Sequence, residues 1–205
     1  MNRPPARLDE QFGQIDIYVF DQLLRNRIAP GMTVFDAGCG TGRNLVYLLR
    51  EGYDVYGVDS SRDAIASVQR LAAALAPRLP ADHFRVETLD RLSFPDAFAD
   101  VVLSSAVLHF AADHDHFAAM LGETWRVLKR GGLFVCRLAS LTGVANDARP
   151  IGGGRYLLPD GSERYLIDEP RLVALTEQLG GTFADPLKTT IVHGQRAMTT
   201  WILRK

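Results

Sequence analysis

Between Thr33 and Leu138 the chain alternates short apolar runs with stretches of helical periodicity, and this alternation constrains the fold more than any other feature. Thr33–Ala37, Asp54–Val58, Phe84–Thr88, Val101–Ser105 and Leu133–Leu138 are short, rich in Val, Phe and Leu, and read as buried strands. Among them, Leu45, Leu48 and Leu49 share one helix face, and Ile65, Val68, Ala72 and Leu75 mark a second helix that stops before Pro77. A third helix is predicted over Asp113–Lys129, with Asp113 as N-cap and Gly131-Gly132 as its stop. Upstream, Phe12, Ile15, Val19 and Leu23 predict a helix over 10–27, closed by Ala29-Pro30-Gly31. Apolar strands separated by amphipathic crossover helices require a parallel sheet covered on both faces, which is a doubly wound α/β fold. The last third reads differently: Gly152-Gly153-Gly154, a hairpin turning at Pro159-Asp160-Gly161, a helix from Glu169 to Leu179, and strands near 187–192 and 197–203.

The 205 residues suit one domain, large enough to bury roughly 70% of the unfolded surface without a disulfide or metal staple. The 23 Lys+Arg balance 24 Asp+Glu, so no overall field favours a polyanion, and a nucleic acid or anionic membrane partner is not expected. No run approaches the ~18 apolar residues of a bilayer span, and the first fourteen residues hold no apolar leader core, which predicts a soluble, cytoplasmic protein. Cys39 and Cys136 lie in no framework of spacings and are expected as reduced thiols. Oligomeric state leaves no trace in the sequence.

In open α/β sheets ligands bind beyond the carboxyl ends of the strands, so the loops there carry the chemistry. The first is Asp36-Ala37-Gly38-Cys39-Gly40-Thr41-Gly42-Arg43-Asn44, whose alternate glycines let the backbone turn sharply and approach a ligand. Asp59, at the end of the second strand and followed by Ser60, is placed to accept hydrogen bonds from both hydroxyls of a ribose. The spacing is G-x-G-x-G and not the dinucleotide G-x-G-x-x-G. Asp36 would repel a pyrophosphate and suits a ligand with a cationic group, such as S-adenosylmethionine.

The loop Asp36–Gly42 resembles the first motif of the class I S-adenosylmethionine-dependent methyltransferases. Val58-Asp59 resembles the acidic end of their second strand, Leu92–Asp96 with Asp100-Val101-Val102 their third-to-fourth-strand passage, and Trp125–Gly132 their helix-to-fifth-strand signature. Gly40–Asn44 with Gly52–Val55 is also similar to the small tellurite-resistance-type branch. The resemblance implies a Rossmann-like seven-stranded sheet, five strands parallel plus a C-terminal antiparallel pair, with 33–138 as the cofactor core. It also implies S-adenosylmethionine as cofactor and a small-molecule methyl acceptor. Gly38, Gly40 and Gly42 would border the methionine part, Asp36 would fix the loop and face the amino group, and Asp59 with Ser60 would hold the ribose. Ser105 would supply a backbone or hydroxyl contact. The family's acidic adenine contact falls on Thr88, beside Leu89, whereas the acid of this chain is Asp90, so either the loop is shifted or Thr88 and Leu89 read the adenine alone.

His109, after the fourth strand, could take a proton from the acceptor or simply pack beside Phe110. Methyl transfer needs little beyond in-line alignment, so a base is not obligatory. Asp113-His114-Asp115-His116 has the composition of a metal cluster, but as a helix start it points its two histidines apart, and no metal site is expected. Cys39 is read as a small residue beside the ligand and not a nucleophile; Tyr47, Tyr56 and Trp125 are read as packing. The elements 1–32 and 139–168 are left to choose the substrate, the latter being long for a plain connection. Arg155, Tyr156, Arg164 and Arg196 are its candidate contacts, with a solvated hairpin face as the alternative for the arginines. Two rival functions share these features: a nonenzymatic S-adenosylmethionine binder lacking a substrate site, and an NAD-linked oxidoreductase, which the glycine spacing and Asp36 disfavour.

Overall fold

A computed structural model describes residues 7–205; residues 1–6, part of the expected substrate-side segment 1–32, lie outside the described residues. The chain runs through α1 (Leu8–Phe12), α2 (Ile17–Leu24), β1 (Thr33–Ala37), α3 (Val46–Arg50), β2 (Asp54–Asp59), α4 (Arg62–Leu75), β3 (Phe84–Val86) and β4 (Ala99–Ser105). It continues through α5 (His114–Arg126), β5 (Leu128–Ala139), β6 (Arg149–Gly152), β7 (Arg155–Leu157), β8 (Glu163–Tyr165), α6 (Glu169–Gln178), β9 (Thr182–Phe183), β10 (Lys188–Val192) and β11 (Arg196–Arg204).

The main sheet has the order β10-β11-β5-β4-β1-β2-β3, with β9 paired to β11 outside that path. The five strands β3, β2, β1, β4 and β5 are parallel, and β11 closes the sheet antiparallel between β5 and β10. The expected seven strands are therefore present in the expected sense. The two-residue β9 was not foreseen, being too short to carry a periodic signal.

Alternation along each strand divides the core between the two faces. Phe35, Val102, Phe134, Cys136 and Trp201 join α5 and α6 on one side; Val34, Val101, Leu103, Val135 and Ile202 join α2, α3 and α4 on the other. Fully burying side chains such as Phe35, Phe134 and Trp201 contributes about 1.5–3 kcal/mol each.

Three boundaries differ from the sequence reading. The single helix over 10–27 is two helices, because Gly13 adopts φ 61° and Asp16 starts α2 afresh as an N-cap, accepting from the Tyr18 N–H at 3.0 Å. The apolar spacing misled because Ile15, Val19 and Leu23 pack into one core cluster across that break. The helix expected to reach Lys129 ends at Arg126, and Gly131-Gly132 lie inside β5, where Gly131 N–H donates to the Lys205 carbonyl at 2.7 Å. β3 leaves the sheet after Val86, two residues early, which frees 87–89 to turn over the strand ends.

The segment 139–168 is a small antiparallel meander, β6-β7-β8. It has its own apolar contacts through Val144, Ala148, Leu158 and Leu166, and it docks on α5 where the Tyr165 ring stacks on Phe117 at 4.6 Å. The Tyr165 hydroxyl bonds His114 Nδ1 at 2.9 Å.

Candidate active site

The direction of chain progression reverses between β1 and β4, and two cavities open beyond the carboxyl ends of these strands, where the topology places a ligand crevice. The first, about 460 Å³, is lined by Gly38, Gly40, Asp59, Ser60, Thr88, Leu89 and Val107, with Glu87, His116 and Met120 among the remaining walls. The second, about 470 Å³, lies on the β5 and β11 side. Ala106 and Phe110 belong to both linings, so the cavities share a wall. Ala106 there holds φ 66°, a conformation that costs a non-glycine residue on the order of 1–3 kcal/mol and is fixed by its N–H donating to the Arg137 carbonyl at 2.7 Å.

In the first cavity the glycine loop is tied to the end of β2. The N–H groups of Gly38 and Cys39 both donate to the Val58 carbonyl at 2.9 Å, and Gly40 N–H donates to Asp59 Oδ2 at 2.9 Å. Ser61 N–H fixes the other Asp59 oxygen at 2.9 Å, leaving each oxygen a further lone pair for a ligand hydroxyl. A Cβ at Gly38 would stand 2.6 Å from the Val107 methyls. Gly42 lines neither cavity: its missing side chain lets Val68 and Leu71 of α4 approach, so it serves packing and not the ligand.

Asp36 is 2% exposed, and its Oδ2 has no hydrogen-bond partner. Burial pushes its carboxyl up to about 7, against the pull of the Arg43 charge. The loop is held by Asp59 and backbone, not by Asp36 as expected. The Cys39 thiol is also pushed up by burial and by the Asp36 and Asp59 charges, the opposite of an activated nucleophile. Thr88 and Leu89 line the cavity; Asp90 does not, and its carboxylate is lowered chiefly by a hydrogen bond to the Thr88 side chain. Glu87, which the sequence did not single out, lines the cavity, but its carboxylate already accepts from the Ser93 N–H and hydroxyl. Of the paired histidines, His116 lines this cavity and accepts from the Ala112 N–H, while His114 turns to Tyr165.

The second cavity is built on one buried acid. Asp16 Oδ2 accepts from the Ser105 hydroxyl at 3.2 Å and from Arg137 Nη1 at 3.1 Å, and Arg43 Nη2 donates to Ser105 Oγ at 3.0 Å. Ser105 therefore lies in the second cavity and within this network, not against the first cavity where its expected contact would be made. Arg164 stacks over the Phe110 ring at 4.8 Å, and Arg196 completes a set of four arginines in the lining.

His109 lines the same cavity and is 5% exposed. Its Nδ1 accepts from the Ala139 N–H at 3.1 Å, which places the ring proton on Nε2. Burial first, then the Arg164 and Arg137 charges, pull its pKa down to about 4. A neutral ring held in this tautomer offers the cavity a donor, and the base role expected from sequence does not fit its geometry.

Residues 35–136, about half of the chain, match the model of the methyltransferase domain family. The chain is 36% identical over 128 residues to a ubiquinone biosynthesis O-methyltransferase of Paramagnetospirillum magneticum, covering 62% of this chain and 48% of that one. It is 35% identical over 109 residues to a 2-methyl-6-phytyl-1,4-hydroquinone methyltransferase of Synechocystis, covering 53% and 32%. The fold matches the crystal structure of a Burkholderia thailandensis 1,6-didemethyltoxoflavin-N1-methyltransferase, with TM-score 0.71, 20% identity, and 95% and 79% of the two chains covered. This chain belongs to the class I S-adenosylmethionine-dependent methyltransferases.

The chain spans about a third to a half of the length of these two curated relatives. The matched region ends at Cys136, so Arg137, the meander and β11, which complete the second cavity, lie beyond it. Two of the expected substrate contacts are not in that cavity. Arg155 is bound on the outer hairpin face to Glu163 at 2.7 Å, and Tyr156 packs against the meander's own apolar cluster. Arg164 and Arg196 are in the lining as expected. Asp16, Arg43 and Arg137 were missed; Arg137 interrupts the apolar run of β5, and a cation in a buried strand was the available signal.

Proposed function

We propose that this methyltransferase moves a methyl group from S-adenosylmethionine to a small-molecule acceptor. The observation that carries the reading is the pair of cavities meeting at Ala106 and Phe110, one bounded by the glycine loop and Asp59, the other by polar side chains suited to an acceptor. The residues fit the cofactor: Gly40 lines the first cavity with nothing within 4 Å of its missing Cβ, which leaves room for a ligand against the backbone, and Asp36, which lines neither cavity, lies buried beside the loop with Oδ2 unpartnered and able to pair with a ligand ammonium. Asp59 with Ser60 would hold the ribose, the Gly38–Gly40 backbone would border the methionine part, and Thr88 with Leu89 would meet the adenine. Bound there, the cofactor supplies an electrophilic methyl group.

The chain's own contribution is position. The shared wall orients two ligands toward each other, and His109 donates from Nε2 to an acceptor oxygen. A cofactor binder without a substrate site would have no use for the second cavity, and dinucleotide chemistry is disfavoured by Asp36. Among the described residues no helix is long and apolar enough to cross a membrane. Cys39 and Cys136 are buried free thiols, which suits a reducing cytoplasmic setting.

Release of S-adenosylhomocysteine in the presence of a library of small acceptors tests the proposal. Turnover on at least one member is expected; S-adenosylhomocysteine binding without turnover on any would favour the binder, and NAD binding in its place would overturn the reading.

A further inference from the structure

We propose that the acceptor of this enzyme is a small organic acid, and that its carboxylate is the anchor held by the arginines of the second cavity. The inference rests on the two-ligand reading above and adds to it the charge class of the acceptor. Arg43, Arg137, Arg164 and Arg196 line that cavity together with Asp160, and the buried Asp16 lies against Arg43 and Arg137, so four cations face two carboxylates, an excess of two positive charges in a chain whose net charge is −1. That excess is local and was hidden by the balanced composition.

The ion pairing is incomplete. Among the described residues Arg164 and Arg196 form no salt bridge; Arg164 donates only to the Glu163 carbonyl and otherwise rests on Phe110. Arg43 lies 3.8 Å from Asp16 and makes its hydrogen bond to the neutral Ser105. Arg137 gives Nη1 to Asp16, but its buried Nε has no partner. Guanidinium groups gathered at a cavity, two of them without an acid partner among the described residues and a third with a buried Nε unpaired, are matched by a carboxylate, which accepts two parallel N–H bonds from one arginine. The neutral His109, with a ring N–H to give, adds a donor and no acceptor.

The rest of the lining describes the body of the ligand. Phe110, Ala139, Leu158, Ala197 and Met198 are apolar, so the acid carries an apolar or aromatic portion and is not a bare inorganic anion. Phe110 serves both cavities, which lets an acid anchored by Arg164 lie along the ring toward the shared wall. A carboxylate whose lone pairs are engaged by arginines is a weakened nucleophile, so the anchor and the methylated atom are different groups of one molecule.

The experiment compares binding, by calorimetry on the full chain saturated with S-adenosylhomocysteine, of a panel of aromatic and branched aliphatic carboxylates with their carboxamides, inorganic phosphate being included. Acids are expected to bind about tenfold or more tightly than their amides, the scale of a lost charge-assisted pair. Arg164→Gln with Arg196→Gln should erase that preference while leaving S-adenosylhomocysteine affinity and the melting temperature unchanged; Arg164→Lys with Arg196→Lys should restore part of it. Equal binding of acids and amides, or no member binding while S-adenosylhomocysteine does, overturns the proposal and leaves the cofactor reading standing. Phosphate binding as tightly as the best carboxylate also overturns it, because the apolar lining would then be idle. Failure of S-adenosylhomocysteine itself to bind removes the parent reading.

Discussion

Two carboxylates beside the glycine loop behave oppositely, and the contrast is set by hydrogen bonding. Asp59 is fixed by two backbone N–H groups, whereas Asp36 is buried with an unpartnered oxygen and titrates near 7. Removing Asp59 leaves both those donors and a ribose unpaired, so Asp59→Ala should weaken S-adenosylhomocysteine binding by roughly 1–3 kcal/mol in a calorimetric titration, an unchanged affinity placing the ribose elsewhere. Asp36 binds a cation only when ionised. Affinity for S-adenosylhomocysteine should therefore rise about tenfold between pH 6 and 8, and Asp36→Asn should abolish the rise together with most of the binding. A pH-independent affinity in the native protein would separate Asp36 from the ligand.

At the scale of elements, the glycine loop is compressed between β1, β2 and the turn that follows β4. Gly38 has φ 82° and Val107 lies 2.6 Å from the position of its missing Cβ, so Gly38→Ala combines a left-handed backbone penalty with overpacking and should cost about 2–4 kcal/mol in denaturant unfolding. Gly40, at φ 54°, has nothing within 4 Å of its missing Cβ, and Gly40→Ala should lose only the backbone part. Adding Val107→Ala to Gly38→Ala should recover stability relative to the sum of the single changes; simple additivity would mean that the contact is not where the strain lies. The same turn explains the strain at Ala106, which lets the chain pass between the two cavities within one residue.

For the whole molecule, two buried groups give stability opposite slopes with pH. The His109 pKa is depressed to about 4 from 6.5, so the unfolded state takes up the proton first and stability is lost as pH falls through that window. The Asp36 pKa is raised from 3.8 to about 7, so the folded state holds the proton longer and stability is lost as pH rises through its window. Each effect is on the order of 3–5 kcal/mol at most, and between about pH 4 and 6.5 they oppose each other. His109→Asn, which keeps an acceptor for the Ala139 N–H, should therefore be relatively more stable at pH 5 than at pH 7, and Asp36→Asn relatively more stable at pH 8 than at pH 5. Parallel unfolding curves of variant and native protein across pH would refute the assigned burial.

The alternation of strands and helices, the loop glycines and Asp59 were legible because each is a local pattern: a period, a turn requirement, a residue at the end of a strand. Gly42 and Ser105 were correctly located in the chain but take other roles, since the first faces α4 and the second faces Asp16. The break at Gly13 escaped notice because packing against α3 decides it, not the apolar spacing. The base at His109 failed for a similar reason, since a backbone N–H from β5 fixes its tautomer.

The sequence by itself determined the sheet, its parallel core and the glycine loop and Asp59 that bound the first cavity, all encoded within runs of a few residues. Tertiary structure alone decided the second cavity. Arg43, Arg137, Arg164 and Arg196 come from a loop and three strands far apart in the chain and carry no shared local signal. Only the antiparallel return of β11 beside β5 and the docking of the meander on α5 bring their charges together, and the proposed anion site rests on that proximity.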